Sequence, residues 1–320
     1  MDFLKFVLKD AFDKDNLELL SESCRVTTVR QYESIWKTFC KWARVKDILN
    51  ININSVISFL KFLFKEKSFE TATILTYKAG LREPLETAFD LDFDNKYLKQ
   101  AARALALKNP AKSIPTISWS ISNSLKAIHL GLSFGKNDIV IQTLRTSFLL
   151  SLAMGSRISE LHALRRDNIK FFNGFMVLHP HPLFLKKNEN PLHRSQPIRI
   201  QGLPEGNLLC PIFNVKRLIC LTKTSKSTAL FVNDTSLQPI SKKKLAEALC
   251  LFIKLTNPSS FPKSHDVRKV ASSLSFMACT SLEEVCDYTG WRSGRVFFNH
   301  YFKHIKDLIS NVVVLGQPIN

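Results

Sequence analysis

Apolar residues recur at helical spacing through the first third of the chain. The clearest stripe follows an i, i+3, i+4, i+7, i+8 pattern and consists of Val56, Phe59, Leu60, Leu63 and Phe64. Shorter stripes precede and follow it, at Tyr32, Ile35, Trp36 and Phe39 and at Ile74, Tyr77, Leu81 and Leu85. Each stripe predicts an amphipathic helix with one buried face, so this part of the chain is expected to be all-helical.

The opposite face of the third predicted helix is polar and basic. It carries Lys78 and Arg82, with Thr73 and Thr76 beside them. Side chains of this kind suit contacts with phosphates, and a solvated helix face explains them equally well. Lys78 and Arg82 are therefore candidate contacts for a polyanion.

The rest of the chain changes pattern twice. A helix ending near Gly155 is predicted by the apolar face at Leu144, Phe148, Leu149 and Leu152, and another helix is expected at 158–164. Three short apolar runs then predict strands separated by turns, at Phe175–Leu178, Phe184–Lys187 and Pro197–Ile200. Helical spacing returns from Ser241 onward. The pattern predicts a mostly α protein with a small antiparallel β-sheet, the α+β class.

A domain boundary is predicted at residues 108–115, where two prolines stand among polar and basic residues. We expect a helical domain at residues 1–112 and a mixed domain at residues 113–320. Residues 1–115 carry 19 basic and 15 acidic side chains, whereas residues 116–320 carry 26 and 12. The second domain should therefore contribute most of the attraction to a polyanion.

The whole chain has a net charge of +18 and a pI near 9.7, which favours a polyanionic partner, most often nucleic acid. A ribosome, a membrane surface or heparin would also fit this charge. The seven cysteines form no CxxC pair, so we expect reduced intracellular thiols and no metal site. The N-terminal run lacks the features of a signal peptide, and no apolar run approaches 18 residues, so no membrane span is expected.

Four short motifs in the second domain carry groups that can bind and cleave a phosphodiester. They are Arg157-Ile158-Ser159-Glu160-Leu161, His265-x-x-Arg268, Gly290-Trp291, and Tyr301. Each alone has an ordinary explanation: Arg157 and Glu160 could form a surface pair, and Tyr301 and Trp291 could be core aromatics. In this order and spacing, over residues 140–305, the set resembles the catalytic boxes of the tyrosine recombinases, the phage integrase family.

The resemblance implies a role for each residue. Tyr301 would be the nucleophile, which stores the energy of the broken bond as a 3′-phosphotyrosine ester. Arg157 and Arg268 would hold the nonbridging phosphate oxygens with bidentate guanidinium groups. His265 would hydrogen-bond the phosphate or take the tyrosine proton. Trp291 stands where the family commonly has a histidine, and its indole N–H can donate a hydrogen bond but cannot shuttle a proton.

A lysine on a β-hairpin protonates the departing 5′ oxygen in this family. Lys186 and Lys187 fall in that region, on opposite faces of the predicted strand, and an ordinary exposed turn would also explain them. Lys187 matches the family position better and is the expected general acid. Glu160 matches an acidic position that would orient a catalytic cation. Enzymes of this family need neither a metal nor a nucleotide cofactor, so none is expected.

The resemblance also implies partners. Double-stranded DNA would be held between a core-binding domain and the catalytic domain, with DNA contacts at Lys78, Arg82, Lys112 and Lys186. Four protomers on two DNA sites would form the working assembly. A terminal helix would dock on a neighbouring protomer, or on its own domain, through Ile305, Leu308, Ile309, Val312 and Val313.

The interval from Trp291 to Tyr301 and the Phe-Leu-Lys-Lys-Asn segment look like those of crypton and DIRS-like mobile-element recombinases. This similarity implies integration or excision in a eukaryotic nucleus, with a bacterial cytoplasm as the alternative. Two other functions stay open. One is a topoisomerase-like nicking and closing enzyme, and the other is a domesticated DNA-binding protein that no longer reacts.

Overall fold

The chain folds as two compact units, residues 1–113 and 114–320. The computed structural model describes residues 13, 15–16, 26–48, 50–110, 117–186, 196–278, 281–289 and 294–302. Within these residues no helix is both long enough and apolar enough to cross a membrane.

The first unit contains the predicted amphipathic helices. Its helices are α1 (Val26–Val45), α2 (Ile53–Lys65), α3 (Thr71–Phe89) and α4 (Lys96–Lys108). Val56, Phe59, Leu60 and Leu63 on α2 are fully buried, which confirms the stripe as a core face. The ring of Phe59 packs edge-on against that of Phe39 on α1, with 5.1 Å between centroids. These apolar faces give the unit its own core.

The second unit combines helices with one small sheet. Its elements are α5 (Ile121–His129), α6 (Asp138–Met154), α7 (Ile158–His162), a 3₁₀ turn (Arg166–Asn168), β1 (Ile169–Phe171), β2 (Phe175–Leu178), β3 (Ile198–Gln201), α8 (Pro211–Leu221), α9 (Lys242–Thr256), α10 (Asp266–Met277), α11 (Leu282–Thr289) and α12 (Gly294–His300). This architecture confirms the predicted α+β class.

Helix α6 is the central element of the second unit. It packs against α8, α9 and α10, and residues 141–152 are all buried. Its polar side chains find partners inside the protein: the Gln142 amide donates to the Asn214 side-chain oxygen at 2.8 Å. Helix α6 ends at Gly155, whose φ of +52° suits glycine. The chain then turns directly into α7.

The sheet has the order β1-β2-β3 and is antiparallel throughout. In β2 and β3, Met176 pairs with Ile200, and both side chains are buried. The strand predicted at Phe184–Lys187 was wrong over its described part, because residues 184–186 form no strand. Residues 182–183 instead form a turn, and the Phe184 N–H donates to the His181 carbonyl at 2.9 Å, so the backbone here closes on itself locally. Lys187 lies outside the described residues.

Candidate active site

Arg157 lies at the junction of α6 and α7, immediately after the turn at Gly155. It is the N-cap residue of α7. Its Nη1 is 3.0 Å from Oε1 of Glu160, and both side chains are largely buried, with exposed fractions of 15% and 9%. The other carboxylate oxygen of Glu160 accepts from the Arg157 backbone N–H at 3.3 Å. Glu160 therefore holds the guanidinium in one position.

Arg268 is the largest fully buried side chain among the described residues, with 1% of it exposed. It lies in the first turn of α10. Its Nη1 donates to the Gly155 carbonyl at 2.6 Å, and its Nη2 donates to the carbonyl of Thr289 at the end of α11. Arg268 thus ties three helices together. Both acceptors are neutral carbonyls, so these two bonds orient the guanidinium group without neutralising its charge.

Tyr301 follows α12, in the turn where that helix ends, and its ring is partly exposed. Its hydroxyl oxygen is 3.0 Å from Nε2 of His265, which precedes α10. The two rings meet edge to face with 5.2 Å between centroids. The Arg268 guanidinium lies over the Tyr301 ring, 5.7 Å from its centroid. A phenol, an imidazole and a guanidinium therefore meet at one point.

The surroundings of His265 keep its imidazole neutral. Its pKa is lowered from 6.5 to about 4, chiefly because the ring is desolvated and then because Arg268, Lys269 and Arg157 repel a second positive charge. Asp266 opposes this shift. His265 is an exposed residue on its outer side, and its ring lies against Tyr301 on the other. A neutral imidazole can accept a hydrogen bond from the Tyr301 hydroxyl at physiological pH.

Burial also weakens the hold of Arg268 on its proton. Its pKa is lowered to about 10, first by desolvation and then by the charge of Arg157. Glu160 and Tyr301 act in the opposite direction, and a side-chain hydrogen bond with Tyr301 is part of that effect. Arg268 still remains cationic at pH 7. Two guanidinium groups with one carboxylate between them form a site with excess positive charge, as binding a phosphate requires.

We expect the imidazole of His265 to titrate well below 6.5 in the free protein. Acidification from pH 8 to pH 5.5 should leave it neutral, since the folded pKa is about 4. Arg157→Ala should raise this pKa, because one repelling cation is removed. Long-range ¹⁵N–¹H NMR of the imidazole during a pH titration measures both values. A wild-type midpoint at 6.5 or above, or no change in the variant, would contradict this electrostatic account.

The structure brings together Arg157, Glu160, His265, Arg268 and Tyr301. Lys187, Trp291 and Lys112 lie outside the described residues. Lys186 and Glu160 line the same small cavity of about 40 Å³.

The two candidate contacts on α3 have different surroundings. Lys78 is half-buried. The guanidinium of Arg82 bridges two carboxylates, Glu86 at 3.1 Å and Asp94 at 2.7 Å. A phosphate at Arg82 would therefore compete with these carboxylates. Both residues stay predictions as DNA contacts.

Sequence reasoning missed two contributors to this site, both of them backbone carbonyls. The Gly155 and Thr289 carbonyls that hold Arg268 carry no side-chain signal. Ser156 lies between Gly155 and Arg157, is 6% exposed, and has no hydrogen-bond partner for its Oγ among the described residues. Among the residues described, no three His, Cys, Asp or Glu side chains cluster closely enough to hold a metal ion.

Comparison with known proteins places the chain that carries this site in a family. Residues 133–307 match the model of the phage integrase family. A search of curated proteins by sequence gave no match.

Solved structures with a similar fold include three that were determined with DNA. A lambda integrase dimer bound to a COC' core site is 13% identical, with 92% of this chain and 95% of that chain covered and a TM-score of 0.57. The XerH site-specific recombinase bound to palindromic difH substrate is 15% identical, with 94% and 84% covered and a TM-score of 0.61. The Tn1549 transposon integrase with transposon right end DNA is 16% identical, with 95% and 95% covered and a TM-score of 0.61.

At these identities the structural likeness shows the fold of the tyrosine recombinases. The family model covers more than half of the chain, including Arg157, His265, Arg268 and Tyr301. The chain belongs to the phage integrase family.

Proposed function

We propose that this protein is a site-specific DNA recombinase that cleaves and rejoins DNA strands through a 3′-phosphotyrosine at Tyr301. One observation carries the proposal: the Tyr301 hydroxyl lies 3.0 Å from Nε2 of a neutral His265, while the buried Arg268 guanidinium lies over its ring. A plain core tyrosine needs neither a base nor a cation at its hydroxyl end. Membership of the phage integrase family supports the same function.

In the cleavage step the Tyr301 oxygen attacks the phosphorus, and the bond from phosphorus to the 5′ oxygen breaks. The phenolic proton passes to Nε2 of His265, and the departing 5′ oxygen receives a proton from the general acid. We assign that role to Lys187, with Lys186 as the alternative. The phosphodiester becomes a phosphotyrosine ester, and attack by a 5′ hydroxyl reverses the step without ATP.

The two arginines act on the charge of the transition state. Negative charge increases on the nonbridging oxygens as the tyrosine oxygen adds to phosphorus, and both guanidinium groups are already in place to receive it. Glu160 holds Arg157, and the Gly155 and Thr289 carbonyls hold Arg268, so little reorganisation accompanies the reaction. Trp291 is assigned an indole hydrogen bond to the same phosphate. This machinery requires neither a metal ion nor a nucleotide cofactor.

The assembly proposed with this function has four protomers on two DNA segments, with the stripe at 305–313 docked on a neighbouring protomer. That stripe lies outside the described residues. DNA-bound dimers among the structural neighbours support DNA as the partner. We further propose a mobile-element role, integration or excision, in a nucleus.

The function is tested by trapping the covalent intermediate. The full-length protein is incubated in EDTA with fragmented genomic DNA of its source organism that carries random nicks, so that cleavage beside a nick releases a short strand and prevents rejoining. Protein-bound DNA that survives denaturant is then sequenced. The proposal expects adducts that share one sequence. Adducts at scattered sequences would indicate topoisomerase-like nicking, and salt-sensitive binding without any adduct would indicate a silent DNA-binding protein.

A further inference from the structure

The aromatic ring of Phe261, four residues before His265, is exposed to solvent. Phe261 is 84% exposed and lies in the segment between α9 and α10, which we name the Phe261 loop (residues 258–264). Single apolar residues on a surface are common and need no special cause. This ring differs because of how firmly its loop is held and what surrounds it.

Hydrogen bonds fix the backbone of the Phe261 loop on both sides of the ring. The Phe261 backbone N–H donates to Ser118 Oγ at 3.1 Å, and Lys254 Nζ donates to the Ser260 carbonyl at 2.8 Å. On the other side, the Lys263 backbone N–H donates to Asp266 Oδ2 at 2.9 Å. The ring is therefore presented to solvent from a rigid loop that continues directly into α10.

The charge around the ring is positive. Lys254 lies over the Phe261 ring, 5.0 Å from its centroid, and the Lys263 side chain is exposed. The nearest carboxylate in sequence, Asp266, is already engaged by Lys263 N–H and by Lys269 Nζ at 3.1 Å. Two cations beside an exposed apolar ring suit a partner that has both negative charge and apolar surface.

A polar cavity of about 470 Å³ adjoins the loop. It is lined in part by Ser118, Trp119, Ser120, Ser259 and Ser260. The Trp119 indole packs against Phe148 in the core, and its Nε1 is closed to solvent. The cavity thus adds hydroxyl groups next to the cationic loop.

We propose that the Phe261 loop and the adjoining cavity form a second DNA-backbone contact of the second unit, separate from the pocket for the scissile phosphate. Lys263 pairs with a phosphate, the Phe261 ring packs against a deoxyribose, and donors of the cavity bind a neighbouring phosphate. Because the loop leads into α10, this contact sets the position of the strand relative to His265 and Arg268. The inference rests on the proposed function in taking DNA as the ligand.

Two variants with different signatures test this contact. DNA binding by full-length Phe261→Ala and Lys263→Ala is measured by fluorescence anisotropy on a 40-base-pair duplex over a range of salt concentrations. Lys263→Ala should reduce the slope of log K against log salt by about 0.9, the value for one phosphate contact. Phe261→Ala should weaken binding roughly fivefold at every salt concentration, because a few tens of Å² of apolar contact are lost. Phe172→Ala, another exposed phenylalanine of this unit, is the matched control and should bind like wild type.

Melting temperatures should stay at the wild-type value for both test variants, since neither side chain is buried. Unchanged affinity and slope in both variants would overturn the inference while leaving the proposed function intact. Loss of protomer association with normal binding to one duplex would also overturn it, because the ring would then contact another copy. If the wild-type protein binds DNA without forming an adduct, the proposed function fails. The DNA affinities of Phe261→Ala and Lys263→Ala would still show whether the Phe261 loop contacts DNA.

Discussion

Arg268→Ala is expected to reduce the rate of covalent adduct formation by roughly 10³-fold and to destabilise the second unit. The rate falls because one preorganised donor to the phosphorane is lost, an effect typically of 10²–10³. Stability falls because the Gly155 and Thr289 carbonyls lose their donors and a fully buried side chain leaves a cavity, together about 2–4 kcal/mol. Single-turnover trapping and urea denaturation measure the two effects separately.

Arg268→Lys separates charge from geometry. The ammonium keeps the positive charge but cannot span both carbonyls, so we expect a rate reduced by roughly 10-fold or more and a smaller loss of stability. Arg199→Ala is the matched control, because it removes an arginine from the exposed face of β3 in the same unit. A wild-type rate in folded Arg268→Ala would show that this guanidinium does not act on the phosphate.

Tyr301→Phe should abolish the covalent adduct, a loss of at least ~10⁴-fold, because the attacking oxygen is missing. The ring remains, so its packing and its contact with Arg268 should persist. Losing the hydrogen bonds of the hydroxyl with His265 and Arg268 should cost about 1–3 kcal/mol of folding free energy. DNA affinity should be unchanged, since the hydroxyl carries no charge. Denaturing gels of trapped complexes and equilibrium binding measure the two properties.

The control for this variant is Tyr288→Phe, which alters the other tyrosine in residues 116–320. It should form adducts at the wild-type rate. If adducts persist in Tyr301→Phe and disappear in Tyr288→Phe, the nucleophile is Tyr288 and the assignment to Tyr301 is wrong.

Local spacing predicted the elements that depend on one buried face. The α2 stripe at Val56, Phe59, Leu60 and Leu63 became a core face because every fourth or third position meets the neighbouring helices. Helix α6 was predicted from a similar apolar face, yet it is buried on all sides. Its polar residues Gln142 and Thr146 can be buried because they donate hydrogen bonds to Asn214, which lies about 70 residues further along the chain. Periodicity alone cannot reveal such long-range pairing.

The site motifs were predictable because their chemistry resides in side chains at recognisable spacing. What holds them was not, because the acceptors for Arg268 are backbone carbonyls 113 and 21 residues away in sequence. The error at residues 184–186 has a related cause. Apolar and basic residues in that segment favour a strand, but the backbone bond from Phe184 N–H to the His181 carbonyl closes a local turn there instead.

The central claim is that the Tyr301 oxygen becomes bonded to phosphorus. Mass spectrometry of peptides from the nuclease-trimmed adduct locates the residue that carries the nucleotide. The account predicts one modified peptide, with the nucleotide on Tyr301 attached through its 3′ phosphate. A nucleotide on any other residue, or one attached through its 5′ phosphate, would contradict it.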